Sequence, residues 1–113
     1  MKTIRLYKNN LHIADVWDAK HYFQRLRGLI GHTLEENGGI LLTPCNQIHT
    51  YFMGYSIDVI YLDGNMCVIK TEPNVIQRQI CGAIKGAVHV LELSIGSIER
   101  KNIVPGDILE AKL

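Results

Sequence analysis

The sequence predicts a mainly β domain, α+β by content. The expected form is a small antiparallel β-barrel or sandwich with one clear helix over about 18–30 and a short second helix over about 94–101. Three observations carry this. Short apolar runs alternate with turn signals along most of the chain. Asp63-Gly64-Asn65 sits between the runs Ile57–Leu62 and Met66–Lys70, and Asp-Gly between apolar runs is a strong hairpin signal. Only one segment has its apolar residues at clear helical spacing.

The elements follow in order. Ile4–Tyr7 and Leu11–Val16 read as strands joined at Lys8-Asn9-Asn10, because Asn tolerates the positive φ a tight hairpin needs. Ala19, Tyr22, Phe23, Leu26, Leu29 and Ile30 then fall on one helical face. Asp18 is the expected N-cap, with Trp17 stapling onto Tyr22, and Gly31 is the stop. Gly28 inside the helix costs about 1 kcal/mol against Ala, which suggests close approach of another backbone. Glu35–Gly39 is a loop and Ile40–Leu42 a short buried strand ended by Pro44. Gln47–Met53 can form a strand with His49, Tyr51 and Met53 on one face and Ile48, Thr50 and Phe52 on the other. After the hairpin, Pro73–Gly86 reads as a surface loop, Ala87–Leu93 as a strand, Pro105-Gly106-Asp107 as a turn and Ile108–Leu113 as the last strand.

The 113 residues make one domain, 1–113, and at this length roughly two thirds of the unfolded surface can be buried. A formal charge of +1, with no basic stripe through the aromatics, argues against nucleic acid. Met1–Arg5 leads into polar residues rather than a secretory apolar region. Asn37–Ile57 lacks Asp, Glu, Lys and Arg, yet Pro44, Asn46, Gln47 and His49 interrupt it too often for a membrane span. The chain therefore reads as soluble and cytoplasmic. Cys45, Cys67 and Cys81 are odd in number and lack Cys-x-x-Cys spacing, so reduced thiols are expected rather than a disulfide framework or zinc site.

The densest chemistry lies between Pro44 and Gly64. Cys45 and His49 can be read as a nucleophile and base, with Asp58 as a third member, because an imidazole lowers a thiol pKa. The plainer reading is a packed thiol beside a hydrogen-bonded histidine. His49 with Asp58, Asp63 or His89 supplies metal-ligand types without a recognised metal spacing, so no metal or cofactor is expected. Asp58 heads an apolar strand, and Arg25 is a plausible ion-pair partner for it or for Glu92; structure outweighs catalysis for these three. Asp107 is most simply a turn residue. His49, Tyr51, Phe52, Met53, Tyr55 and Ser56 combine aromatic, flexible and polar groups suited to lining a shallow groove.

Four motifs in order resemble the family known as domain of unknown function 192. They are Arg25-Leu26-Arg27-Gly28-Leu29-Ile30-Gly31, with Ile30 where the family has Met; Phe52-Met53 followed by Ile57–Asp63; Val90-Leu91-Glu92-Leu93 with Gly96; and Gly106-Asp107. The resemblance spans about 24–110. Many members carry Trp at the Phe52 position and a Met-Lys-Asn-Thr-type run where this chain has Met53-Gly54-Tyr55-Ser56. It implies a small, mainly β fold and no established reaction, cofactor or substrate.

Three functions are thus open. One is a binding or accessory domain whose site lies on the 45–58 segment and takes a small molecule, glycan or peptide. Another is a small hydrolase or metal-dependent enzyme using Cys45, His49 and Asp58, which requires those groups to converge within about 4 Å. The third is a structural or interaction module within a protein assembly.

Overall fold

A computed structural model describes residues 2–19, 35–47, 55–76 and 83–112. The strands are β1 (Lys2–Lys8), β2 (Leu11–Ala19), β3 (Gly38–Leu42), β4 (Ile57–Leu62), β5 (Val68–Val75), β6 (His89–Ser94) and β7 (Leu109–Lys112); a one-turn helix α1 (Ser97–Arg100) precedes β7. They form one seven-stranded sheet in the order β5-β4-β6-β3-β2-β1-β7. All neighbours are antiparallel except β2 and β3, so the sheet is mixed, and the mainly β reading holds.

The sheet curls into a half-barrel. Cys67 bridges Ile108, and the amides of Val68 and Leu109 reach the carbonyls of Asp107 and Met66 at 2.8 and 3.0 Å. These bonds join the start of β5 to the start of β7, the two edges of the sheet. The inner face holds Leu6, Val16, Leu41, Ile60, Leu62, Leu91 and Leu93. The outer face carries a second cluster of Ile40, Ile57, Val59, Tyr61 and Val90, with Trp17, Cys45 and Tyr55 packed against it. Strand β4 lies between the two and all 6 of its residues are buried, which is why its sequence runs apolar with little alternation.

Local chemistry explains the turns. Asn9 and Asn10 take φ of 50° and 64°, the two left-handed positions of a tight hairpin whose twist matches its strands. Asp63 Oδ1 accepts the N–H groups of Asn65 and Cys67 at 2.8 and 3.0 Å, fastening the β4–β5 turn. Gly39 is required by proximity: a Cβ there would lie 2.3 Å from the Glu92 carbonyl oxygen on β6.

Two boundaries differ from expectation. Asp18 and Ala19 do not begin a helix; they finish β2, paired with Leu41 and Leu42 of β3. Continuing the strand buries Ala19 completely in the outer cluster, a gain that a helix cap at Asp18 would forgo. The rest of the expected helix, 20–30, lies outside the described residues. Pro73 does not open a loop but sits within β5. An edge strand tolerates a residue without an N–H, and a bulge opposite Asp58 absorbs the irregularity. The expected strand over 47–53 also falls outside the described residues, apart from Gln47, which belongs to no strand. The second helix is real but shorter than 94–101.

Two ends of the half-barrel now differ. At one, α1 and the chain after it plug the interior, with Ile98 and Ile103 packed against the inner core. At the other, β2 and β3 end and β6 begins around an opening.

Candidate functional site

At the open end, Asp18, Thr43 and His89 border a pocket of about 260 Å³ over Ile4, Leu41, Met66 and Ala111. Each polar group is placed by the ladder. Asp18 follows Val16 by two positions on β2, and alternation puts it on the inner face. Val90 pairs with Leu42 and His89 with Leu62, so Thr43, next after Leu42, lies opposite His89. The Thr43 N–H donates to the Ala19 carbonyl at 3.1 Å, and Thr43–Pro44 is a cis peptide. Thr43 Oγ1 and His89 Nδ1 share a hydrogen bond of 2.6 Å. Lys112 also borders the pocket, while its ammonium lies 4.6 Å from the centroid of the Tyr7 ring. The result is an apolar floor with a carboxylate, a hydroxyl and an imidazole at the rim. Such a surface can orient a small ligand through a few polar contacts while the floor removes apolar area from water.

The outer face holds a different feature. Glu92 is 3% exposed, flanked in register by Ile40 and Val59. Its Oε2 has no hydrogen-bond partner among the described residues. Burial pushes its carboxyl up to about 8, so it is protonated and neutral near pH 7. The Tyr55 hydroxyl is raised too, first by burial and then by the proximity of Glu92.

The residues singled out from the sequence separate between these faces. Asp58 is 1% exposed and points to the inner face, alternating with Ile57 and Val59 of the outer cluster. Its Oδ1 accepts the Asn74 N–H at 3.0 Å and its Oδ2 the Ile98 N–H at 2.9 Å. Cys45 is half-buried against the outer cluster and its thiol donates to the Gln47 carbonyl at 3.0 Å. Cys45 and Asp58 are therefore on opposite faces of the sheet. Tyr55 and Ser56 are half-buried just before β4, Tyr55 against the outer cluster. Asp63 is occupied by its own turn, and Asp107 accepts the Val104 N–H and pairs with Lys8. Arg25, His49, Tyr51, Phe52 and Met53 lie outside the described residues, and with them any pairing of Arg25 to Asp58 or Glu92. Among the described residues no three His, Cys, Asp or Glu side chains gather as a metal site.

Sequence reasoning missed Asp18 and Thr43 as site residues. Carrying the period-two pattern of β2 two residues past Val16 would have put Asp18 on the core face. Nothing local announces that Thr43 meets His89, 46 residues on.

Two solved structures share this architecture. A candidate transcription regulator from Sinorhizobium meliloti 1021 superposes with a TM-score of 0.83 at 21% identity, over 96% of this chain and 92% of that one. A protein of unknown function from Novosphingobium aromaticivorans DSM 12444 gives 0.80 at 19% identity, over 96% and 83%. At these identities the likeness speaks for the fold alone. No curated protein matches the sequence. The model of one family matches residues 4–111, nearly the whole length, and the chain belongs to that family, DUF192, described as uncharacterized ACR, COG1430.

Proposed function

We propose that this domain is a small binding or accessory module that takes a small polar molecule at the open end of its half-barrel. The observation that carries the reading is the meeting of Asp18, Thr43 and His89 over an apolar floor, each held by strand pairing rather than by a long loop. Groups fixed on a sheet bind with little ordering cost. The pocket's size suits a small sugar, a nucleoside fragment or a peptide end. The 45–58 segment leaves directly from Thr43-Pro44, but Tyr55 packs on the outer cluster and neither it nor Ser56 borders this pocket. An enzyme built on Cys45, His49 and Asp58 fits less well, because Cys45 and Asp58 face opposite sides of the sheet. Cys67 is a free thiol, which suits a reducing, cytoplasmic setting. Among the described residues no helix is long and apolar enough to cross a membrane.

The test is an NMR shift-perturbation screen of the labelled protein against sugars, nucleotides, short peptides and divalent metals. Saturable shifts clustered on Asp18, Thr43, Met66 and His89 support the reading and name the ligand class. Shifts confined to 45–58 move the site away from the open-end pocket. No clustered shift, together with a concentration-dependent dimer, favours the interaction-module reading instead.

A further inference from the structure

At the closed end, opposite the pocket described above, a second concavity of about 470 Å³ lies between the β1–β2 hairpin and the chain around α1. Its walls are Lys8, Asn9, Leu11, His12, Ile13, Arg100, Lys101 and Asn102. The lining contains four basic side chains and no acid, in a chain whose formal charge is only +1. We propose that this groove binds a small organic anion, a phosphate monoester or its equivalent, with the oxyanion toward Lys101 and the apolar part on Leu11 and Ile13.

The cations here are held in place before any ligand arrives. Lys8 pairs with Asp107 at 2.9 Å and donates to the Asn102 carbonyl. Arg100 donates from Nη1 to the Ile95 carbonyl at 3.0 Å and from Nη2 to the Glu36 carbonyl at 3.1 Å, and its Nε lies 3.5 Å from the Glu36 carboxylate. His12 Nε2 meets Asp15 at 2.7 Å. Each of these three has an acid behind it, so Lys8 and Arg100 are oriented but partly compensated, and the His12 ring is oriented. Lys101 is different. It is half-buried and has no acidic partner among the described residues. It therefore supplies the uncompensated charge, beside Lys8, Arg100 and His12, whose ordering cost has already been met by the fold. Leu11 is 72% exposed in the same wall, which gives an apolar moiety a surface to cover. An oxyanion alone would leave that wall in water. A bare polyanion such as nucleic acid would instead need a broader field than this near-neutral chain provides.

The chemistry is the same whether the anion is a free metabolite or an exposed lipid headgroup, and the test separates them. The ¹⁵N-labelled full chain is titrated with phenyl phosphate, and with benzyl alcohol as the neutral counterpart. In parallel it is sedimented with phosphatidylglycerol and with phosphatidylcholine vesicles. Saturable shifts with phenyl phosphate at Lys8, Asn9, His12 and Arg100–Asn102, absent with benzyl alcohol, are the expected result. Lys101→Glu should weaken binding about tenfold while leaving the rest of the spectrum in place. Lys101→Gln is the milder second variant should the reversal disturb folding. Phenyl phosphate binding without vesicle binding identifies a soluble anion. Sedimentation with phosphatidylglycerol only, lost in the Lys101 variants, identifies a headgroup. Neither kind of binding, or binding indifferent to Lys101, overturns the proposal. Because the closed-end and open-end residues report separately, failure here leaves the reading of the open-end pocket untouched.

Discussion

Asp58 and Ile98 tie the most buried strand of the sheet to the helix that plugs it: the carboxylate on β4 accepts the Ile98 N–H at 2.9 Å. The acceptor replaces the side-chain cap that Gly96, at the N-cap position and without a side chain, cannot provide. The other oxygen of Asp58 takes the Asn74 N–H, turned inward at a left-handed φ of 54°. One buried acid thus closes both a helix start and an edge-strand bulge. Asp58→Ala leaves the Asn74 and Ile98 N–H groups without their acceptor, and should cost about 2–4 kcal/mol. Urea unfolding followed by circular dichroism measures it. A loss below about 0.5 kcal/mol would mean that water replaces the carboxylate, and that the site is wetter than its burial suggests.

Gly39 tests the register of β3 against β6. Its absent Cβ is what allows the Glu92 carbonyl to approach, with Leu93 Cδ2 crowding the same space at 2.6 Å. The nearer obstacle is backbone, which cannot swing aside as a side-chain end can. Gly39→Ala should therefore cost about 3 kcal/mol, the upper range for overpacking. A thermal melt within 2–3 °C of the parent, roughly what a few tenths of a kcal/mol gives for a domain of this size, would mean that the two strands leave room for a methyl group.

These residues also show what a linear reading can and cannot reach. The hairpins at Asn9-Asn10 and Asp63-Gly64 are legible because the turn chemistry is local and the flanking strands are adjacent in sequence. The buried β4 is legible because six consecutive residues carry its signal. The parallel pairing of β2 with β3 is not, since the two strands are 18 residues apart in sequence and no local turn sets their register. Asp18 misleads because Asp is a good helix cap and the strand simply continues through it. Pro73 misleads because its penalty vanishes on an edge, and edges are decided by the whole sheet. The open-end pocket inherits both difficulties: Asp18 and Thr43 reach it from strand ends joined by that same parallel pairing.

Glu92 makes stability depend on pH in a particular direction. The carboxyl titrates at about 8 when folded and near 4.5 when exposed. Between those values the unfolded chain releases a proton that the folded protein retains. Its contribution therefore falls as pH rises from about 4.5 to about 8, by on the order of 5 kcal/mol over the window, and levels off above it. Glu92→Gln removes the titration while keeping a neutral group of similar shape. The variant should match the parent at pH 5 and become the more stable of the two by pH 8, which paired melts across that range would read. A variant least stable near pH 7, relative to the parent, would instead mean that the carboxylate is ionised and held by a cation.

His89 and Thr43 allow fold and binding to be told apart at the open end. Their 2.6 Å hydrogen bond joins the end of β3 to the start of β6, beyond the last ladder pair of those strands. Thr43→Val keeps the shape and removes the hydroxyl; His89→Ala removes the imidazole and opens the rim. Each should cost about 1 kcal/mol of stability, the usual worth of one partly exposed hydrogen bond. If the pocket binds a polar ligand through these groups, either change should also weaken that ligand about tenfold, and the double variant should lose little more than the worse single one, because the pair acts as a unit. Unfolding curves and titrations of the four proteins with a ligand from the shift-perturbation screen would measure both quantities. Unchanged affinity with the stability loss intact would leave Thr43–His89 a strap between strands and nothing more, and would move the binding site away from the inner face.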